Sequence, residues 1–239
     1  MPTPSVHAFA EKVAVITDGA SPIGRAIAIQ LALYGTYVIV GFSASTSENQ
    51  CALEELKSLG TLANAVEADI STVEGAKKLI AEAEKMFGRI DLLVNCLKYR
   101  NNSEFDETTE DIFAKAIEVN LKSTFFVTQT ALRLMKQRPK PKIVNVISAL
   151  DTEETAQNPL SSAAQNALKG FTESLAKNLP KNFRVNAVAV SEKNTKSENL
   201  DEELFRKKSG VSEDDVARTI LFLLSSESIC LNGQIIKAE

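Results

Sequence analysis

The apolar positions of this chain fall into two alternating rhythms. Short runs rich in β-branched residues predict strands: VAVIT (13–17), YVIVGF (37–42), LANAVEAD (62–69), DLLVN (91–95), KIVNVIS (142–148), FRVNAVAV (183–190) and QIIKA (234–238). Between them, apolar residues at helical spacing predict helices near 22–34, 46–59, 71–87, 108–137, 160–178 and 212–226. The runs are apolar almost throughout, as strands are when helices cover both faces of a parallel sheet. The alternation predicts one α/β domain over residues 1–239, a doubly wound, Rossmann-like parallel sheet of about seven strands with helices on both faces. Residues 1–11 read as a leader. The polar stretch 191–210 reads as a loop or lid near a strand end where such sheets bind ligands.

Local chemistry sharpens several boundaries. Ser21 as N-cap and Pro22 at the first helical position make a strong helix start. Ser212 with Asp215 is a capping-box variant ahead of the stripe Val216, Ile220, Leu223 and Leu224. Pro180 stops the helix before it, and KQRPKPK (136–142) forms a tight basic connection.

Composition then removes function classes. A net charge of −4 argues against nucleic-acid or anionic-membrane partners. No apolar run reaches the roughly 18 residues of a membrane span, and MPTPSVHAFAEK has no apolar segment of a secretory signal. Cys51, Cys96 and Cys230 are far apart and His7 is the only histidine, so no metal site is expected. Free thiols and the lack of a signal point to a cytoplasmic protein.

A set of motifs then covers nearly the whole chain: KVAVITDGASPIGRAIAIQLA, ADIST, FGRIDLLVN, VNLKSTFFVTQTAL, KIVNVIS, SSAAQNALKGFTESLAKNL, FRVNAVAV and EDDVARTILFLLSSES. With them the sequence resembles the short-chain dehydrogenases/reductases, in the style of the 3-oxoacyl-(acyl carrier protein) reductases. The resemblance implies an Asn-Ser-Tyr-Lys tetrad. Asn120 and Ser148 stand at the first two positions, but Ser161 and Gln165 stand where Tyr and Lys belong. The family's tyrosine passes a proton as hydride moves, and its lysine lowers that tyrosine's pKa. A serine hydroxyl and a neutral amide do neither, and loss of a positioned general acid costs on the order of 10²–10⁴ in rate. Ser161 also reads simply as a first-turn helix residue. A serine-hydrolase reading of Ser148 and Ser161 lacks an acid–base partner, since His7 lies in the leader. Tyr99 beside Lys98 is a candidate substitute pair, although neighbours in sequence tend to point apart.

The cofactor positions implied by the resemblance are disturbed as well. The three phosphate-loop glycine positions hold Asp18, Pro22 and Gly24, with Gly19 beside the first. Asp18 places a carboxylate near a pyrophosphate, a cost of roughly 3 kcal/mol at ~5 Å and an effective dielectric near 20. Pro22 lacks a backbone N–H. Gly24 keeps the helix-packing role. Asn95 is followed by Cys96, Leu97 and Lys98 instead of Asn-Ala-Gly; Val190 and Ser191 replace a Pro-Gly pair. Asp69 and Thr195 remain at the adenine and nicotinamide positions, and Ser43 offers no selectivity between NAD and NADP. The expectation is NAD(P) bound weakly or not at all, with catalysis impaired. A non-catalytic subunit follows, forming a homo-oligomer, or a hetero-oligomer with an active reductase, through helices 108–137 and 160–178. The alternatives are an active NAD(P)-dependent oxidoreductase with a remodelled site, reducing a 3-oxoacyl thioester or other carbonyl, and a small-ligand or nucleotide sensor.

Overall fold

The computed structural model describes residues 8–42, 46–58, 63–99, 103–149, 158–191 and 211–238. Seven parallel strands form one sheet: β1 (Val13–Thr17), β2 (Tyr37–Phe42), β3 (Ala63–Glu67), β4 (Leu92–Asn95), β5 (Lys142–Ser148), β6 (Arg184–Val190) and β7 (Ile235–Ala238). Their spatial order is β3-β2-β1-β4-β5-β6-β7, so the order reverses between β1 and β4. That reversal opens a crevice at the C-terminal strand ends, where open α/β sheets take ligands.

The helices are α1 (Pro22–Leu33), α2 (Ser47–Ser58), α3 (Val73–Phe87), α4 (Glu110–Ile117), α5 (Ser123–Met135), α6 (Pro159–Asn178) and α7 (Glu213–Leu224). Ala14 and Ile16 of β1 pack with Ile27 and Leu31 of α1 and with Ile220 and Leu224 of α7. Val15 faces the other way, toward Leu79 and Ile80 of α3 and Val127 and Leu134 of α5. Successive strand residues therefore enter opposite layers, which explains the unbroken apolar runs.

The helix starts follow their caps. The Ser21 hydroxyl accepts from Gly24 N–H, with Pro22 in the first turn. Ser212 and Asp215 form the full reciprocal capping box of α7. One expectation is corrected: the helix read over 108–137 is two α-helices joined by a π-helical turn, Glu118–Lys122. Ser123 and Thr124 donate back to the carbonyls of Val119 and Asn120, which competes with the regular ladder there. The strand read over 62–69 is shorter, Ala63–Glu67. Of the expected lid over 191–210, all but Ser191 lies outside the described residues.

Candidate active site

The π-turn places Asn120. It widens the helix by one residue, and such turns recur at functional sites. Asn120 Oδ1 accepts from Tyr99 N–H at 2.9 Å, and its Nδ2 donates to Tyr99 O at 3.1 Å. The side chain thus clamps the strand that leaves β4. The same strand is fixed at its start, because Thr17 Oγ1 accepts from the amides of Cys96 (2.8 Å) and Leu97 (3.3 Å). Leu97 is half-buried against the core, and Tyr99 is held by its main chain. Among the described residues no hydrogen bond links the Tyr99 phenol to Ser148.

Ser148 ends β5, and α6 supplies the two residues opposite it. The side chain of Gln165 is buried on the inner face of α6. Its Oε1 accepts from Ser148 N–H at 3.0 Å. The residue at the expected lysine position therefore fastens α6 to the end of β5 and carries no charge. One turn earlier, Ser161 is a first-turn residue whose N–H donates to the Asn158 cap at 2.9 Å. The Ser148 hydroxyl oxygen is buried without a hydrogen-bond partner among the described residues. The four expected tetrad positions are brought to one region, since the π-turn also packs on α6. None of them titrates near neutral pH.

The loop after β1 keeps the backbone of a glycine turn without the glycine. Asp18 has φ of 52°, a left-handed conformation that Asp tolerates better than most residues. Gly19 lies against Val40, where a Cβ would come within 2.4 Å of that side chain. A Cβ on Gly24 would lie 2.3 Å from Asp18 O, so the helix can pack this closely only with glycine there. The amides of Gly19, Ser21 and Gly24 already have acceptors in Gly41 O, Asp18 O and Ser21 Oγ. Pro22 has no N–H to give. Burial pushes the Asp18 carboxyl above the usual carboxylate range, opposed by a hydrogen bond with Ser21. The buried Cys96 thiol is pushed far up, first by desolvation and then by Asp18.

The turn after β3 is built the same way. Thr72 N–H and Oγ1 bond Asp69 O, and Gly75 N–H bonds Thr72 Oγ1 at 2.9 Å. In the first loop, Ser21 N–H and Oγ bond Asp18 O, and Gly24 N–H bonds Ser21 Oγ at 3.2 Å. Both sequences read Asp, cap residue three later, glycine six later. Gly75 is even tighter, with a Cβ position 1.9 Å from Asp69 O. This packing glycine was not singled out from the sequence, although its spacing repeats that of Gly24. In both turns the strand is closed onto the helix by bonds within the chain. The Asp69 carboxylate itself caps Ser71, accepting from its N–H (3.1 Å) and Oγ (2.6 Å), while exposed at the surface.

Asn95 is engaged inside the sheet. Its Nδ2 donates to Asn145 Oδ1 (2.8 Å) and Thr128 Oγ1 (3.1 Å), and Asn145 Nδ2 continues to Thr172. Its Oδ1 has no partner. This cross-sheet polar chain ties α5, β4, β5 and α6 together beneath the site. Ser43 and Thr195 lie outside the described residues. Among the described residues there is no group of His, Cys, Asp and Glu that could hold a metal ion, and no helix is long and apolar enough to cross a membrane.

The chain matches the family model described as short chain dehydrogenase over residues 12–203. It is 32% identical over 234 residues to 3-oxoacyl-[acyl-carrier-protein] reductase FabG of Aquifex aeolicus, covering 94% of each chain. It is 30% identical over 181 residues to short-chain dehydrogenase/reductase FrzI of a Cladobotryum species, covering 76% of this chain and 69% of the other. A short chain dehydrogenase of Burkholderia cenocepacia, solved in complex with NADP, superposes with a TM-score of 0.86 at 26% identity, covering 97% of this chain and 98% of the other. An actinorhodin polyketide ketoreductase variant with NADPH gives 0.86 at 24% identity, covering 95% of each, a likeness of fold alone.

Proposed function

The chain belongs to the short-chain dehydrogenase family, and from that premise we propose that it is a catalytically impaired member that acts as a non-catalytic subunit. The observation that carries this reading is the bond from Ser148 N–H to Gln165 Oε1. The lysine position has become a neutral strut between β5 and α6, so no cation is available there to lower the pKa of a proton donor. Ser161 is a first-turn residue whose N–H is capped by Asn158, and the Asp18 loop closes as an ordinary strand-to-helix turn. In this reading NAD(P) binds weakly or not at all.

The subunit role draws support from an aromatic surface. Phe113 of α4 and Phe125 of α5 are exposed by 53% and 41%. The Phe125 ring lies 5.5 Å from that of Phe171 on α6. Exposed rings on adjacent helices suit burial against another subunit, a second copy or an active reductase. Val119, Thr128, Met135 and Leu168 turn inward and serve the core instead.

A second reading, an active oxidoreductase with a remodelled site, is favoured by the retained Asn120 and Ser148 and by relatives named as reductases. Titration of the purified protein with NADPH and NADH, followed by an acetoacetyl-thioester reduction assay, separates the two. Micromolar binding with turnover above background establishes the second reading. Absence of turnover, with a reductase co-purifying from the native host, supports the first.

A further inference from the structure

The N-terminal edge of the sheet, opposite the candidate active site, carries an open surface cavity of about 350 Å³. That volume falls at the lower end of small-ligand sites. Its lining is of two kinds. Ala176, Leu179 and Ile229 are apolar, and Ile229 is 43% exposed. Lys177, Lys181 and Arg184 are cationic, and no acidic side chain lines the cavity among the described residues. The chain as a whole is acidic, at −4, so a lining without a counter-charge is a local feature.

The cavity wall is rigid. Arg184 is anchored on main chain, with Nε donating to Ile229 O at 2.5 Å and Nη1 to Lys181 O at 2.7 Å. The Asn232 amide is engaged at both ends, accepting from Val185 N–H (2.9 Å) and donating to Ala176 O (3.0 Å). Lys177 and Lys181 have no ion-pair partner among the described residues. Like charges held on fixed backbone favour an anion between them.

We infer that this basal cavity is a binding site for a small amphipathic anion, an apolar body bearing one carboxylate. The body would lie on Leu179 and Ile229 and the carboxylate between Lys177, Lys181 and Arg184. The site is separate from the active-site region, since Arg184 begins β6 and Val190 ends it.

Cys230 lies in the cavity wall and reports on it, while exposed Cys51 on α2 is an internal control. The test is alkylation of the intact protein by iodoacetamide, with both thiols followed by peptide mass spectrometry. Decanoate is the probe; decanol, acetate and anionic phosphatidylglycerol vesicles are the comparisons. Decanoate is expected to slow labelling of Cys230 several-fold and leave Cys51 unchanged, with decanol and acetate giving no protection. The Lys177→Ala/Lys181→Ala double variant is expected to need about tenfold more decanoate, the effect of losing two surface cations. Equal protection of Cys51, equal protection by decanol, or protection at the same concentration in the double variant would each overturn the inference. Protection by vesicles without protection by decanoate would replace it with a membrane contact.

Discussion

Lys142 offers the sharpest quantitative test of the fold's electrostatics. It is the first residue of β5, and 3% of it is exposed. Its ammonium donates to Leu223 O at 3.3 Å, to Ser228 Oγ at 3.1 Å and to Ser225 O. It therefore caps the C-terminal end of α7 from inside the protein. Burial lowers its pKa from 10.5 to about 8, assisted by Lys12, Arg184 and Lys140. For a lysine lowered on folding, the unfolded chain holds the proton between pH 8 and pH 10.5 while the folded chain has released it. Stability from this residue then rises with pH across that window. The drop corresponds to about 3 kcal/mol. Below pH 8 both states are charged, and the folded state bears the full desolvation cost. The comparison is urea denaturation of the wild type and Lys142→Met at a series of pH values, because the subtraction removes every other titrating group. The difference between wild type and variant should climb in favour of the wild type by about 3 kcal/mol from pH 8 to pH 10.5. A flat difference would mean that the three oxygen acceptors compensate the burial and that the lysine keeps its ordinary pKa.

Three further outcomes are expected. Asp18→Gly removes the loop carboxylate and should tighten NADPH binding about 10- to 100-fold by calorimetry; an unchanged affinity would locate the obstacle at Pro22 alone. Gln165→Leu leaves the buried Ser148 N–H without an acceptor and should lower stability by about 1–3 kcal/mol; a change within ±0.5 kcal/mol, roughly that of a neutral surface substitution, would remove the strut from the account. Gly75→Ala drives a Cβ to 1.9 Å from Asp69 O and should cost on the order of 3 kcal/mol in denaturant unfolding; wild-type stability would show that the turn after β3 relaxes freely.

The periodicity of the sequence was enough for the sheet. β1, β2 and β5 occupy the residues their apolar runs predict, because a strand buried on both faces leaves an uninterrupted signal. The π-turn at Glu118–Lys122 was not legible, since one added residue barely shifts the apolar stripe and the cause lies in side chains bonding back to the helix. For the candidate site, the motif register names the residues, while their hydrogen-bond partners come from the fold. Gln165 is recognisable from register as a missing lysine, yet that its amide oxygen accepts from Ser148 N–H depends on how α6 meets β5. Asn95 reads from its motif as a cofactor contact, while the fold directs its amide to Asn145 and Thr128.

The two matched turns show what packing alone requires where a strand hands over to a helix. Asp18 and Asp69 each offer a carbonyl to a hydroxyl cap three residues on, and Gly24 and Gly75 each sit against that carbonyl. What packing demands of such a turn is the cap and the glycine, and both are present in both copies. An anion is favoured by free amides and opposed by negative charge, and the first copy carries the Asp18 carboxyl. Only the left-handed φ of Asp18, absent at Asp69, exceeds what the second turn needs. That conformation suits glycine better, and it costs about 1 kcal/mol at Asp18. At the β5–α6 junction, Gln165 supplies an acceptor for Ser148 N–H that a lysine ammonium, a donor only, could not supply.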